Sequence, residues 1–170
     1  MNNFISSLSV CGYKAKRLDD SSLPQMYALC SRHEKYYKEY LKQPPSAEGV
    51  REILTALPPG KRYEDKLVIG WFDGEKLVAI LDLIVDFPAK KAAFIGLFMV
   101  EHSICRRGVG SKFMGTLLTM LSDSGYNECR LGVIENNAEA LFFWQSLGFN
   151  FTGKKHLQEN YAVLVYSKVI

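Results

Sequence analysis

Two glycines and two arginines lie together in a short segment between an apolar run and an amphipathic pattern. Gly108 and Gly110 are separated by one residue and follow Arg106 and Arg107 directly. Glycine lets a bulky group approach the backbone, and the first N–H groups of a helix lack intrahelical partners at the positive end of its dipole. The segment is therefore expected to bind an anion, and a phosphate is the anion that this arrangement favours.

The spacing of the glycines excludes two common phosphate-binding loops. A P-loop needs Gly, four residues and then Gly-Lys-Ser/Thr, whereas Gly110 is followed by Ser111 and then Lys112. A dinucleotide fingerprint needs a third glycine three residues after the second, and Phe113 occupies that position. The phosphate must therefore belong to another kind of ligand.

The glycine segment has to be positioned by the elements on either side of it. An apolar run over 92–100 predicts a strand that enters it. Apolar residues at helical spacing follow it: Val109, Phe113, Leu117, Met120 and Leu121. Gly125 is typical of the residue that follows the end of such a helix. The local order is therefore strand, loop, helix.

The chain before this segment is predicted to form two helices and then strands. The patterns predict a strand over 13–18, a helix from about 22 to 41, a second helix capped by Ser46, and two strands joined by Asp73-Gly74. After Gly125 they predict a strand over 129–135, a helix that Asn136 or Asn137 caps, and a final strand.

The helix after Asn137 is apolar nearly all round. One stripe contains Ala140, Phe143, Trp144 and Leu147, and a second stripe contains Ala138, Leu141 and Phe142. A short helix with two apolar stripes needs two partners to cover it. The sheet is one partner, and the other is either more protein or a bound ligand.

These two motifs resemble those of the GNAT superfamily of N-acetyltransferases. The glycine segment is similar to that family's Gln/Arg-x-x-Gly-x-Gly/Ala loop, and residues 137–149 are similar to its Asn-x-x-Ala-x-x-Phe-Tyr-x-x-x-Gly-Phe helix. The order of elements resembles the family's fold across nearly the whole chain. The resemblance implies a mixed α/β fold with a central, mixed but mostly antiparallel sheet, helices on both of its faces, and one domain over 1–170.

The resemblance also implies acetyl-CoA as co-substrate and no metal. The loop would bind the diphosphate, and the second helix would flank the pantetheine arm. The implied binding residues are Phe98, Met99, Val100, Cys105, Arg106, Arg107, Gly108, Val109, Gly110, Ser111, Asn137, Ala140, Phe143 and Trp144.

Two residues depart from the family pattern. Cys105 stands where the family usually has Gln or Arg, and Arg106 and Arg107 are candidates to supply the lost donor. Trp144 stands where the family usually has Tyr. The resemblance implies that such a tyrosine acts as the general acid that protonates the departing thiolate. An indole N–H donates a hydrogen bond but is not a usable acid. Either another group protonates the thiolate, or it leaves unprotonated.

The reaction implied by the family is direct attack of an amine on the thioester. A backbone N–H near Met99 or Val100 is expected to stabilise the oxyanion, and a base must take a proton from the amine. Three carboxylates compete for that role: Asp82, which interrupts an apolar strand, Glu101 after the central strand, and Glu135 at the end of the next strand. His102 is a further candidate.

The acceptor is expected to be a small-molecule amine. Two alternatives remain open: acetylation of a protein or peptide amine, and a non-catalytic acyl-CoA-binding sensor. A ping-pong route through Cys105 lacks an evident His/Asp partner, and a packed thiol is the simpler interpretation.

Composition agrees with an ordinary globular protein. The 170 residues carry a net charge of +3, with 48% apolar residues and no block of like charges, so neither nucleic acid nor membrane is an expected partner. The four cysteines show no metal-site or disulfide spacing, which predicts free thiols in the cytoplasm. The sequence is compatible with a homodimer and does not decide the oligomeric state.

Overall fold

The computed structural model describes residues 2–170, with side chains from Phe4 onwards. The strands are β1 (Lys14–Arg17), β2 (Lys66–Asp73), β3 (Lys76–Val85), β4 (Ala92–Val100), β5 (Glu128–Ile134), β6 (Asn150–Leu157) and β7 (Ala162–Val169). They form one sheet in the order β1-β2-β3-β4-β5-β7-β6. Neighbouring strands are antiparallel except for β4 and β5, which are parallel.

Helices cover both faces of this sheet. They are α1 (Asn2–Ser7), α2 (Leu23–Ser31), α3 (Ala47–Thr55), α4 (Val109–Asp123) and α5 (Ala138–Ser146). On one face, Leu29 of α2 and Val50 of α3 are buried in a cluster with Ile80 of β3. On the other face, Phe113 of α4 stacks on Trp71 of β2 with 4.5 Å between ring centroids. The fold class expected from the sequence is therefore confirmed.

The sheet opens in its middle, between β4 and β5. These strands pair only over Ala92–Ile95 and Glu128–Leu131, and none of the pairs described for them lies beyond Ile95 and Leu131. At the same level β4 contains a bulge, because Leu97 pairs with Asp82 while Gly96 has no opposite residue. A Cβ atom at Gly96 would lie 2.6 Å from Oδ2 of Asp82, so only glycine fits this bulge without a shift. The parallel strands therefore separate towards their carboxyl ends.

The long first helix predicted from the sequence is interrupted in the structure. α2 ends at Ser31, and a separate π-helical turn follows over Tyr36–Tyr40. Arg32 and His33 lie in the break, where Arg32 forms an ion pair with Glu101 beyond the end of β4. The sequence keeps a helical periodicity through these two residues, but their tertiary contacts determine the local conformation and the helix is interrupted.

Two elements were not predicted. β6 pairs with β7 at the edge of the sheet, and all eight of its residues are exposed. Such a strand has no buried face, so its sequence lacks the alternation that identifies strands. The short helix α1 has only six residues. No helix in residues 2–170 is long and apolar enough to cross a bilayer.

Candidate active site

A cleft of about 980 Å³ occupies the gap between β4 and β5. Its walls include the carboxyl-terminal halves of both strands, the segment between β4 and α4, one side of α5, and the π-helical turn after α2. Of the predicted binding residues, all except Arg107 and Val109 line this cleft: Phe98, Met99, Val100, Cys105, Arg106, Gly108, Gly110, Ser111, Asn137, Ala140, Phe143 and Trp144. The two sequence motifs, distant in the chain, therefore face a single space.

The glycine segment presents its backbone to the cleft. Arg106 and Gly108 have positive φ angles of 61° and 73°, a left-handed conformation that turns the chain into α4. In the described part of the chain, the N–H groups of residues 106–111 donate no hydrogen bond. A Cβ atom at Gly110 would contact the ring of Phe143 at 3.5 Å, so the glycine keeps the space above the helix start open. Free amides, a helix N-terminus and Arg106 fit a diphosphate.

Aromatic side chains form the opposite wall. Phe143 of α5 stacks on Phe98 of β4 with ring centroids 5.9 Å apart, and Trp144 lies 6.0 Å from the same ring. Trp144 is buried, whereas Phe142 is 76% exposed although it lines the cleft. In the second apolar stripe of α5, Leu141 packs against the core, whereas Phe142 is not covered by protein. A largely apolar ligand segment such as a pantetheine arm fits beside it.

Two backbone amides of β4 face the cleft. The N–H of Glu101 donates to the carbonyl of Val78, which places Glu101 in a hydrogen-bonded pair with β3. Hydrogen-bonded pairs alternate along an antiparallel ladder, so Met99 also directs its N–H to β3. Phe98 and Val100 direct theirs away from β3, into the gap that β5 leaves. Of the two positions expected to supply an oxyanion donor, the geometry therefore favours Val100.

Asp82 lies beneath the floor of the cleft, not in its lining. Its Oδ1 atom is 2.7 Å from Nζ of Lys66, and both side chains are almost completely buried. Burial raises the pKa of Asp82, while the hydrogen bond and charge of Lys66 only partly offset that effect. Asp82 packs against Gly96 and is a structural partner of the bulge.

Glu101 is buried at the end of β4 and is paired with two cations. Oε2 of Glu101 is 2.6 Å from Nη2 of Arg32 and 3.5 Å from Nζ of Lys76. Burial raises the pKa of Glu101, but Arg32 and Lys76 together lower it below its ordinary value. A carboxylate held in this way is a poorer proton acceptor than a free one.

Glu135 lies near the opposite edge of the sheet. Both of its carboxylate oxygens are 2.7 Å from Nζ of Lys155 on β6, in a half-exposed pair outside the cleft lining. The structure therefore does not bring Asp82, Glu101 and Glu135 together, and their catalytic roles stay predictions.

Two histidines and two tyrosines line one end of the cleft, and of these only His102 was expected from the sequence to be a candidate base. His33 and His102 face each other with ring centroids 4.3 Å apart, and Tyr36 and Tyr40 lie beside them in the lining. His33 was missed because the predicted helix continued through it, which gave it no distinct position. The one feature of the sequence that could have drawn attention to His33 is that the chain contains only three histidines.

The thiol of Cys105 points back to the end of β4. Its Sγ atom lies 3.5 Å from the carbonyl oxygen of Val100 and 3.4 Å from that of Glu101. Burial and the charges of Glu101 and Glu139 raise its pKa, and Arg106 only partly offsets this. The thiol is therefore not activated as a nucleophile. Among the described residues, no cluster of three or more His, Cys, Asp or Glu side chains is placed to hold a metal ion.

The family model described as Acetyltransferase (GNAT) family matches residues 26–149 of this chain. No curated protein matches the sequence significantly.

The fold of the chain is similar to that of several solved structures. The ribosomal-protein-S18-alanine N-acetyltransferase of Escherichia coli is 19% identical, with a TM-score of 0.70 and coverage of 93% of this chain and 94% of that one. A Salmonella typhimurium acetyltransferase that modifies the N-terminal serine of ribosomal protein L7/L12 is 18% identical, with a TM-score of 0.74 and coverage of 96% and 97%. PaiA N-acetyltransferase of Thermoplasma acidophilum, solved in complex with coenzyme A, is 14% identical, with a TM-score of 0.64 and coverage of 90% and 97%.

Proposed function

The chain belongs to the GNAT family of acetyltransferases, and from that premise we propose that it transfers the acetyl group of acetyl-CoA to a primary amine by direct attack in a ternary complex. One observation carries the proposal: unpaired backbone amides over 106–111 and the uncovered aromatic side of α5 face the same gap in the sheet. A nucleotide thioester needs both surfaces at once, because its diphosphate is charged and its pantetheine arm is largely apolar.

In this proposal the protein binds acetyl-CoA mainly through its backbone. The amides over 106–111 bind the diphosphate, and Arg106, which lines the cleft, adds a cation. Phe142 and Phe143 flank the pantetheine arm. The acetyl group then lies near the end of β4, where the N–H of Val100 stabilises the oxyanion that forms when the amine attacks.

The leaving group needs little assistance from the protein. A thiol has a pKa near 8.5, so its thiolate is a good leaving group at neutral pH. Trp144 is buried among Phe98, Phe143 and Phe149, where it packs the cleft wall and supplies no acid. The departing thiolate takes its proton from solvent.

The charges of the lining favour an acceptor that carries a single amine. Lys35 and Glu139 lie on opposite sides of the cleft, and their side chains are 3.4 Å apart, so the carboxylate of Glu139 is already paired. Glu101 is paired as well and lies outside the lining. A polycation such as a polyamine would find no free carboxylate among these groups. A small monoamine is the first candidate acceptor.

The α-amino group of a protein or peptide is the second candidate. The Escherichia coli neighbour is named a ribosomal-protein-S18-alanine N-acetyltransferase, and the Salmonella typhimurium neighbour is described as modifying the N-terminal serine of ribosomal protein L7/L12. An α-amino group has a pKa near 8 and is therefore more often uncharged at neutral pH than an alkylamine. Both properties support an N-terminal acceptor, in which the adjacent peptide would lie along Tyr36 and Tyr40.

Release of free thiol from acetyl-CoA tests the proposal directly. The panel contains phenethylamine, glycine, spermidine, kanamycin, and peptides that begin with alanine or serine. We expect turnover with phenethylamine or a peptide and little with spermidine or kanamycin. Binding of acetyl-CoA without turnover of any panel member would instead support the sensor alternative, and absence of binding would overturn the proposal.

A matched pair of glycine variants ties binding to the loop. Gly110 and Gly115 both lie in α4, but Gly110 lines the cleft whereas Gly115 is exposed outside it. We expect Gly110→Val to weaken acetyl-CoA binding strongly, because its side chain would enter the space that the glycine leaves open. Gly115→Val changes the same helix without touching the cleft and serves as the control.

A further inference from the structure

Two of the three histidines of the chain meet at the acceptor end of the cleft. His33 lies in the break after α2, and His102 lies two residues beyond the end of β4. Their rings are 4.3 Å apart at an interplanar angle of 32°, and both line the cleft. The third histidine, His156, is exposed on the edge strand β6 and is absent from the lining. The long-range contact places two imidazoles beside Val100.

One nitrogen of this pair has no partner. Nε2 of His33 is buried, and among the described residues nothing forms a hydrogen bond with it. An unpartnered buried polar atom costs on the order of 1–3 kcal/mol, so a ligand that hydrogen-bonds to it would gain from the contact. Because the residue His33 lines the cleft, a substrate bound there is the natural partner of this nitrogen.

The other candidate proton acceptors around the cleft are already occupied. The carboxylate of Glu101 is paired with Arg32 and Lys76, and that of Glu139 is paired with Lys35. Cys105 has a raised pKa and would be a protonated thiol at neutral pH. Nε2 of His33 remains without a partner, in a residue that lines the cleft.

The surroundings keep His33 uncharged. Burial is the largest influence, and together with the electrostatic effects of the neighbouring His102 and Arg32 it lowers the pKa of His33 to about 4, against smaller opposing effects of Glu101 and the backbone of Val100. Its imidazole is therefore neutral throughout the range near pH 7 and does not repel an incoming amine. A nitrogen with this pKa is a weak base, so we expect its contribution at the lower end of general-base catalysis, and a proton taken up there passes on readily.

We propose that Nε2 of His33 receives the proton of the attacking amine; the inference rests on the acetyltransferase function proposed above. An uncharged amine attacks the thioester carbon and forms the C–N bond. Its surplus proton moves to His33, the C–S bond breaks with its electron pair on sulfur, and the thiolate takes a proton from water. His33 then returns to its neutral form by releasing the proton to solvent, so protons and electrons balance.

Alanine variants of the histidines test this assignment. The assay measures free-thiol release with the panel amine that gives the highest wild-type rate. General-base catalysis contributes typically about 10²–10⁴-fold, so His33→Ala should lower kcat by about 100-fold or more while the affinity for acetyl-CoA stays within twofold. His102→Gln removes the ring that lies against His33 but leaves Nε2 of His33 in place, so it should lower kcat less than His33→Ala does. His156→Ala is the control and should match the wild type.

Chemical rescue separates a catalytic role from a structural one. Added 4-methylimidazole should restore part of the kcat of His33→Ala, because it can enter the space left by the ring, and should not affect His156→Ala. A His33→Ala variant within threefold of the wild type, or one that loses activity without rescue, overturns the inference. If the wild type itself turns over no panel amine, the proposed function fails first, which keeps the two failures distinct.

Discussion

The two halves of the cleft are built from different kinds of interaction. The cofactor half, formed by residues 105–111 and α5, offers backbone amides and aromatic faces. The acceptor half, formed by the end of β4 and the chain after α2, is held by ion pairs such as Arg32 with Glu101. Backbone amides do not titrate, whereas carboxylates do. We therefore expect the acceptor half to depend on pH and on paired charges, and the cofactor half to depend on shape.

The largest effect on stability should come from the buried ion pair of Lys66 and Asp82, which lies beneath the floor of the cleft. Lys66→Met removes the partner of Asp82 and leaves a buried carboxylate unpaired, which costs about 3–5 kcal/mol. Chemical denaturation should show this loss in the free energy of unfolding. The double variant Lys66→Met/Asp82→Leu should recover most of it, because neither charge then remains. Asp20→Asn breaks an exposed pair with Arg51 and should change stability by less than about 1 kcal/mol. If Asp20→Asn lost as much stability as Lys66→Met, the expected difference between exposed and buried ion pairs would be contradicted.

The next effect tests the cofactor half. Gly110→Val should weaken acetyl-CoA binding by about 100-fold, which corresponds to about 2.7 kcal/mol, since the added side chain occupies the space beside Phe143. Isothermal titration with acetyl-CoA measures this change. The Gly115→Val control should bind as the wild type does. Equal affinities of the two variants would show that the ligand does not use this loop.

A smaller, pH-dependent effect is expected at Arg32. The pKa of Glu101 lies below its ordinary value in the folded protein, so this carboxylate stabilises the fold above about pH 4.5 and loses that contribution as pH falls further. Arg32→Gln should cost about 1 kcal/mol at pH 7, because the arginine is partly exposed and screened. Thermal melts at pH 7 and pH 3.5 should show the difference from wild type shrinking at the lower pH. Lys38→Gln, in an exposed pair with Glu34, is the control.

The smallest effect is expected for Trp144→Tyr. This variant introduces the phenol that the family usually carries at this position, yet a good leaving group gains little from an acid. We expect kcat to change by less than about threefold, or about 0.7 kcal/mol. Steady-state thiol release measures it. A tenfold rise would show that departure of the thiolate limits the wild-type reaction.

Local sequence patterns were sufficient to predict the parts of the cleft that are formed by backbone groups. The glycine segment, the helix start at Val109 and the cap that Asn137 provides for α5 are set by residues within a few positions of each other. Their geometry follows from glycine conformations, helix ends and periodicity, all of which are readable from a short stretch of chain. The family and its fold were therefore predictable, and both are confirmed. The strand β6 was not predictable, because a strand with no buried face shows no alternation of apolar and polar residues.

The sequence determined that this chain has a glycine-rich loop before α4 and an aromatic helix α5, because each is a local arrangement of backbone and side chains. Only the tertiary structure decided which polar groups remain available for chemistry. It pairs Asp82 with Lys66 and Glu101 with Arg32, and it brings His33 against His102. These partners are far apart in the chain, and no local pattern records which distant residue will neutralise a charge or leave a nitrogen unpaired.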